Sequence, residues 1–220
     1  MFQNIATRVR TAEVTLSYVH LLEPYARPGD TNPAKYSVAL LLPKSDTACK
    51  ADIDAAIQAA IQDGIQKQWG GVKIPNPPVP VHDGDLPREN GTPRGDECKG
   101  HWIISARTDR KPEIKQFRNT GAGRELVDVP VQEVYSGMRG IVTINFFAYN
   151  FQGMKCGIGC GLGNVLKTAD GEPLAGGTTA EVDFGDVQEM PAVAVANPHY
   201  ANVYGGGVSQ VINPLTGRPY

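Results

Sequence analysis

Apolar and polar positions alternate most cleanly over residues 140–150, where Val142, Ile144, Phe146 and Ala148 interleave with Thr143, Asn145, Phe147 and Tyr149. A period of two predicts a β-strand with the first set on a core face. The second set carries two aromatic rings beside small polar residues. Rings left facing outward on a strand can stack on a flat ligand. The alternative is a second layer, such as a helix, laid over Phe147 and Tyr149. Residues 155–166 read as the partner strand of a hairpin around Gln152 and Gly153.

The other elements follow from the same patterning. Residues 9–19 alternate loosely and predict a strand, and 35–42 (KYSVALLL) predict a second one, buried toward its end. The connection over 23–33 is rich in Pro, Gly, Asp and Asn. After Pro43, Ser45 or Asp46 is placed to cap a helix whose apolar residues Ile53, Ile57, Ala60, Ile61, Ile65 and Trp69 recur at helical spacing, with Gly70 and Gly71 ending it. That pattern makes a one-faced helix lying on the sheet, with Trp69 in the core. Residues 73–99 hold six prolines and several glycines and predict a long irregular segment. Residues 101–106 (HWIISA) predict a short strand, 111–129 a basic, glycine-containing connection, and 191–220 a mobile tail without periodicity.

Composition narrows this picture. In 220 residues, 25 Gly and 17 Pro suit β-rich structure with many turns, and 41% hydrophobic residues suffice for a packed core. No apolar run approaches the length of a membrane span, and the N-terminal segment has no signal-peptide core, so a cytosolic protein is expected. Cys156 and Cys160, with Cys98 and His101 upstream, are spaced unlike a zinc ribbon, whose paired cysteines lie two residues apart on knuckle turns. They and Cys49 read as ordinary buried thiols, and no metal or other cofactor is expected.

Net charge is -2, but residues 99–124 hold seven basic residues against two acids, a surplus of five. Acids collect at 83–97 and 181–189. Such segregation points to one anion-binding face, against the alternative of a solvated loop with surplus lysines. Catalytic constellations are weak. The four histidines are scattered, and VHDGD at 81–85 reads as an Asp-Gly turn. The alternating glycines Gly157, Gly159, Gly161 and Gly163 lack the strand-then-helix setting of a dinucleotide fingerprint. They suit a strand that backbone or ligand approaches closely.

Several strands, one inserted amphipathic helix and long loops predict a mainly β fold with α elements: an OB-type five-stranded barrel, which strand count alone does not separate from a sandwich. One domain is expected over 1–190, followed by the tail at 191–220. The segments LSYVHLLEP (16–24), KYSVALLLPKSD (35–46), VPVHDGD (79–85), YSGMRGIVTINFFAYN (135–150) and GIGCGLGNVLKTADGEPLAGG (157–177) add a resemblance. In order and spacing they are similar to a bacteriophage family of single-stranded DNA-binding proteins with an OB fold, formerly a phage domain of unknown function, over most of residues 9–184. The resemblance implies sequence-independent binding of single-stranded DNA during phage replication or recombination in the cytoplasm of the infected host cell. It implies no catalysis, and contacts with other phage replication or recombination proteins. It leaves room for a homodimer.

The contact residues are ranked physically, because a single strand needs cations along its backbone and rings for its bases. Trp102, Phe147 and Tyr149 are the stacking candidates, with Tyr36 and Tyr135 behind them. Lys99, Arg107, Arg110, Lys111, Lys115 and Arg139 are the phosphate candidates. One departure concerns the end of the chain. Related replication proteins often end in a strongly acidic tail, whereas here the acids sit at 181–189 and the last thirty or so residues are nearly uncharged. Acidic residues at 181–189 could instead occupy the basic groove in the absence of DNA. A phage structural or assembly protein with a β-barrel core is the alternative of another class. A small nuclease comes third, lacking an evident metal-binding carboxylate cluster.

Overall fold

The computed structural model describes residues 6–26, 29, 32–121, 123–151 and 155–174. The expected tail, the domain boundary at 190, the acids at 181–189 and the turn at 152–153 lie outside the described residues.

Among the described residues nine strands and one α-helix follow one another: β1 (Arg8–Arg10), β2 (Val14–Tyr25), β3 (Lys35–Pro43), α1 (Thr47–Lys67), β4 (Val81–Asp83), β5 (His101–Thr108), β6 (Ile114–Thr120), β7 (Gly123–Asp128), β8 (Arg139–Phe151) and β9 (Lys155–Ala169). Five of them close a ring, in which β2 pairs β3, β3 pairs β5, β5 pairs β9, β9 pairs β8 and β8 pairs β2. The β5–β9 junction is parallel and short, and so is β2–β8 in its antiparallel sense, whereas β8–β9 is long. This is the expected OB-type barrel, closed unevenly.

Alternation decides what fills it. Val38, Leu40 and Leu42 of β3 meet Ala106, Ile104 and Trp102 of β5 in register, and Val142, Ile144 and Phe146 of β8 meet Val165, Leu162 and Cys160 of β9. All but the half-buried Trp102 are buried in one cluster with Val14, Leu16 and Leu21 of β2. Burial pushes the Cys160 thiol up to about 12. The thiols of Cys49 and Cys98 are also raised by burial.

The helix starts where Asp46 accepts a hydrogen bond from the Cys49 N–H at 2.9 Å. Cys49, Ile53, Ala56, Ile57, Ala60 and Gly64 form its buried stripe. Gly64 permits the closest approach, since a Cβ there would lie 2.6 Å from the Ala148 Cβ. Trp69, buried as expected, donates from its indole nitrogen to the Tyr149 carbonyl at 3.0 Å. The helix therefore packs on the core-facing side of β8, through Ala148. Phe147 and Tyr149, on the other side of that strand, are left 46% and 36% exposed. The covering layer considered for them is absent among the described residues.

Four expectations need correction. The strand expected over 9–19 is two pieces, bent where the Thr11 hydroxyl accepts from the Val142 N–H at 3.0 Å, and β2 runs on to Tyr25. The connection expected at 23–33 therefore begins inside a strand. The basic connection expected at 111–129 is the hairpin β6–β7, joined to β9 by parallel pairing at Ile114, Lys115 and Gln116. It escaped notice because its middle is exposed on both faces and carries no apolar alternation. The irregular segment at 73–99 contains β4, which pairs β5.

Candidate functional site

The glycines of β9 build the site. Cβ atoms added at Gly159 would lie 2.6 and 2.8 Å from Phe147 ring carbons, and at Gly157 2.6 Å from the Tyr149 hydroxyl. The rings of β8 therefore lie across a strand that has no side chains under them. One ring face is seated on backbone and the other is open. The close approach expected of these glycines is made by the chain's own aromatic residues.

Registered pairs extend this platform across the outer face. Arg8 pairs Asn145, Asn145 pairs Gly161, Gly161 pairs Arg107, Arg107 pairs Ser37, and Ser37 pairs His20. Partners in register share a face, so a guanidinium stands on each side of the β8–β9 strip. Arg8 and Arg107 are three strands apart, about 14 Å between backbones. Arg10, two residues from Arg8, faces the same way opposite Thr143.

The far wall is β2. Tyr18 has a left-handed backbone (φ 49°) at a register shift between Ser17 and His20, and its ring is 55% exposed. A non-glycine residue held there stores strain, which recurs at binding sites. The His20 ring stacks on Tyr25 with centroids 4.3 Å apart and planes within 9°. Burial lowers the His20 pKa and so favours its neutral imidazole. An exposed ion pair of Lys35 and Asp109 (3.1 Å) borders the groove. With Phe147, Tyr149, Arg107 and Pro78–80 these residues line an open groove of about 1280 Å³, larger than the ~300–1000 Å³ of pockets that enclose small ligands.

The expected contact residues divide sharply. Phe147, Tyr149 and Arg107 come together in the groove, and exposed Arg110 and Lys111 follow on the connection that leaves β5. Trp102 does not join them. Its position on β5 faces inward opposite Leu42, and the ammonium groups of Lys44 and Lys50 lie 5.0 and 4.5 Å from its ring centroid. Tyr36 alternates with Lys35 and Ser37 and so takes the same side as Val38. Tyr135 has its hydroxyl against Asp170 and Gly171 at the opposite end of β8 and β9. Lys99 pairs with Asp96, Lys115 with Asp128 and Arg139 with Glu13. The basic run at 99–124 is thus divided: Arg107 lies in the groove with Arg110 and Lys111 following it, whereas Lys99 and Lys115 are held by acids.

In VHDGD the first three residues are β4, and the expected turn is confined to Gly84 and Asp85. Lys44 bridges Asp83 and Asp85, the Asp85 contact at 2.6 Å, and the lysine's hydrogen bonds lower both carboxyl pKa values. Among the described residues no three His, Cys, Asp or Glu side chains gather as metal ligands, and no helix is long and apolar enough to cross a membrane.

Arg8, Arg10, Tyr18, His20 and Tyr25 were missed from sequence. The signals were present: Arg8-Val9-Arg10 sets two cations on one side of a strand, and the rings at 18 and 20 lie within the resembling segment LSYVHLLEP.

Comparison with known proteins adds an independent finding. Residues 7–193 match the family model described as Enterobacter phage Enc34, ssDNA-binding protein. The solved structure of the single-stranded DNA-binding protein from bacteriophage Enc34 in complex with ssDNA is 28% identical, with a TM-score of 0.62 over 76% of this chain and 89% of that one. A second solved structure of the single-stranded DNA-binding protein from bacteriophage Enc34 is 28% identical with a TM-score of 0.60, covering 82% of this chain and 90% of that one. The bacteriophage T7 gp2.5 structure, a single-stranded DNA binding protein, is 15% identical with a TM-score of 0.50 over 85% and 98%, a likeness of fold alone. A search of curated protein sequences finds no match.

Proposed function

Because the chain belongs to the family of the Enterobacter phage Enc34 ssDNA-binding protein, we propose that its outer groove holds single-stranded DNA without sequence preference. In this role it protects the strand during phage DNA replication and recombination in the infected cell's cytoplasm, acting as a binder and not as an enzyme. The observation that carries the reading is the pair of rings, Phe147 and Tyr149, laid on the glycines of β9 with Arg8 and Arg107 on either side.

Each part has a physical task. Every base has a π-face, so stacking on Phe147 and Tyr149 tolerates any sequence. A paired base has both faces occupied by its neighbours in the duplex, which favours the single strand. Arg107, Arg8 and Arg10 attract phosphates, and the spacing between them is set by strands of a rigid barrel. Tyr18 and the His20–Tyr25 stack offer further ring surface where the groove crosses β2.

The test is fluorescence anisotropy with labelled oligo-dT and with duplex over a salt series. Single strands should bind more tightly than duplex. With three or four phosphates neutralised, log affinity should fall with log salt at a slope of roughly -2 to -3. Equal affinity for duplex, or affinity independent of salt, refutes the reading.

A further inference from the structure

The hairpin β6–β7 carries features that the barrel does not require. Phe117 and Leu126 face each other in register, and they are 44% and 51% exposed. The Arg124 guanidinium lies 3.8 Å from the Phe117 ring centroid. Only the base of the hairpin reaches the core, through Ile114 and the neighbouring Val129. The middle of the hairpin therefore exposes apolar surface and a ring-bound cation without contributing to barrel packing.

Register shows which way that surface faces. Ile141 of β8 pairs Leu166 of β9, Leu166 pairs Lys115 of β6, and Lys115 pairs Asp128 of β7. Ile141 alternates with the buried Val142 and so shares the outer side of β8 with Thr143, Asn145 and Phe147. Lys115 is thus on the outer side too, and Phe117, two residues further along, follows it. Its cross-strand partner Leu126 and the Arg124 over its ring belong to that same surface. The groove's floor and the hairpin's ring are parts of one continuous sheet face.

We propose that Phe117, Arg124 and Leu126 form a second stacking site, an arm that takes the same single strand beyond the barrel groove. The proposal rests on the single-strand reading of the groove. A ring with a guanidinium beside it suits a nucleotide, offering a stacking face and a cation for the adjacent phosphate. Along β9 and then β6, Phe117 is nine residues from the row of Phe147, roughly 25–30 Å of sheet. A short oligonucleotide seated on Phe147 and Tyr149 does not reach it, and a long one does.

Length dependence therefore tests the arm. Anisotropy at low salt would compare oligo-dT of about four and about sixteen nucleotides, the ends of the range for such folds. The proteins are the full chain, Phe117→Ala, Arg124→Gln and Arg107→Ala, with circular dichroism and sedimentation velocity on each. Phe117→Ala should weaken the long oligonucleotide about tenfold and the short one less than twofold. Arg124→Gln should act in the same direction, and Arg107→Ala should weaken both lengths. A folded Phe117→Ala protein with unchanged affinity for the long strand overturns the proposal, as does an equal loss at both lengths. A change of oligomeric state without a change in binding assigns the surface to a second copy of the chain, and also overturns it. Failure of the parent chain to bind either length would instead sink the reading of the groove.

Discussion

Placing a methyl group at Gly159 should disable DNA binding while sparing the fold. The added Cβ of Gly159→Ala would lie 2.6, 2.8 and 3.2 Å from three Phe147 ring carbons, below or at the edge of tolerable contact. The obstructing atoms are the far end of a side chain whose outer side is solvent, so the ring swings off the strand and the backbone stays. The platform is lost with it. Stacking is worth about 1–3 kcal/mol per base, so affinity for oligo-dT should fall roughly 5- to 150-fold. Phe147→Ala should lose a similar amount. Its stability cost follows from the seated half of the ring, about 100 Å² removed from water at about 25 cal/mol/Å², or at most about 2.5 kcal/mol. The double-mutant cycle isolates the cause: in the Phe147→Ala background, Gly159→Ala should cost almost nothing in binding, because both changes remove the same surface. Anisotropy titrations of the four proteins, with urea melts to confirm folding, measure it. Additive losses, or an unchanged affinity for folded Gly159→Ala, refute the platform.

Three further outcomes are expected. Arg107→Ala should make the slope of log affinity against log salt shallower by about 0.7, the value of one phosphate contact on a single strand. Lys99→Ala, whose ammonium already holds Asp96 away from the groove, should not change it, and equal effects would dissolve the distinction. Trp102→Phe should leave affinity within about twofold, and saturating oligo-dT should leave most tryptophan emission intact, since Trp102 lies beneath Lys44 and Lys50 and Trp69 is buried; strong quenching would return Trp102 to the site. The His20 pKa is lowered from 6.5 by burial, and that of His82 by burial and then Arg94. The stability they contribute is present above pH 6.5 and is lost as pH falls through the lowered values. Thermal melts between pH 7.5 and 5 should therefore show a declining Tm, shallower in the His20→Gln/His82→Gln variant, and an undiminished decline there refutes the assignment.

Patterning alone determined the elements whose neighbours in sequence enforce their environment. The alternation through β8 set Val142, Ile144, Phe146 and Ala148 inside and Phe147 and Tyr149 outside, and the structure keeps that division. Helical spacing placed Trp69 in the core and found the helix that Asp46 caps. The period-two glycines of β9 announced a close approach, though not that the approaching groups are Phe147 and Tyr149. What local patterning left open was the parity of β5. Ile103 and Ile104 are both apolar and both buried, so either alternate set could face inward, and only pairing with Leu40 and Leu42 turns Trp102 toward the core.

Ring closure decided the rest. Arg8, Asn145, Gly161, Arg107, Ser37 and His20 form one row although they are scattered over most of the chain. No window of sequence contains that row, because it runs along the hydrogen bonds between strands and not along the backbone. For the same reason the basic run at 99–124 did not foretell the row: Lys99 precedes β5 and pairs with Asp96, and Lys115, although on the outer side with Arg107, lies on another strand and pairs with Asp128. The hairpin β6–β7 left no apolar signature because water bathes both of its faces, and only its pairing with β9 shows that Phe117 continues the groove's face. Sequence periodicity reports which side of a strand meets the core. Which outward side chains of distant strands meet one another depends on register, and register is settled when the whole barrel packs.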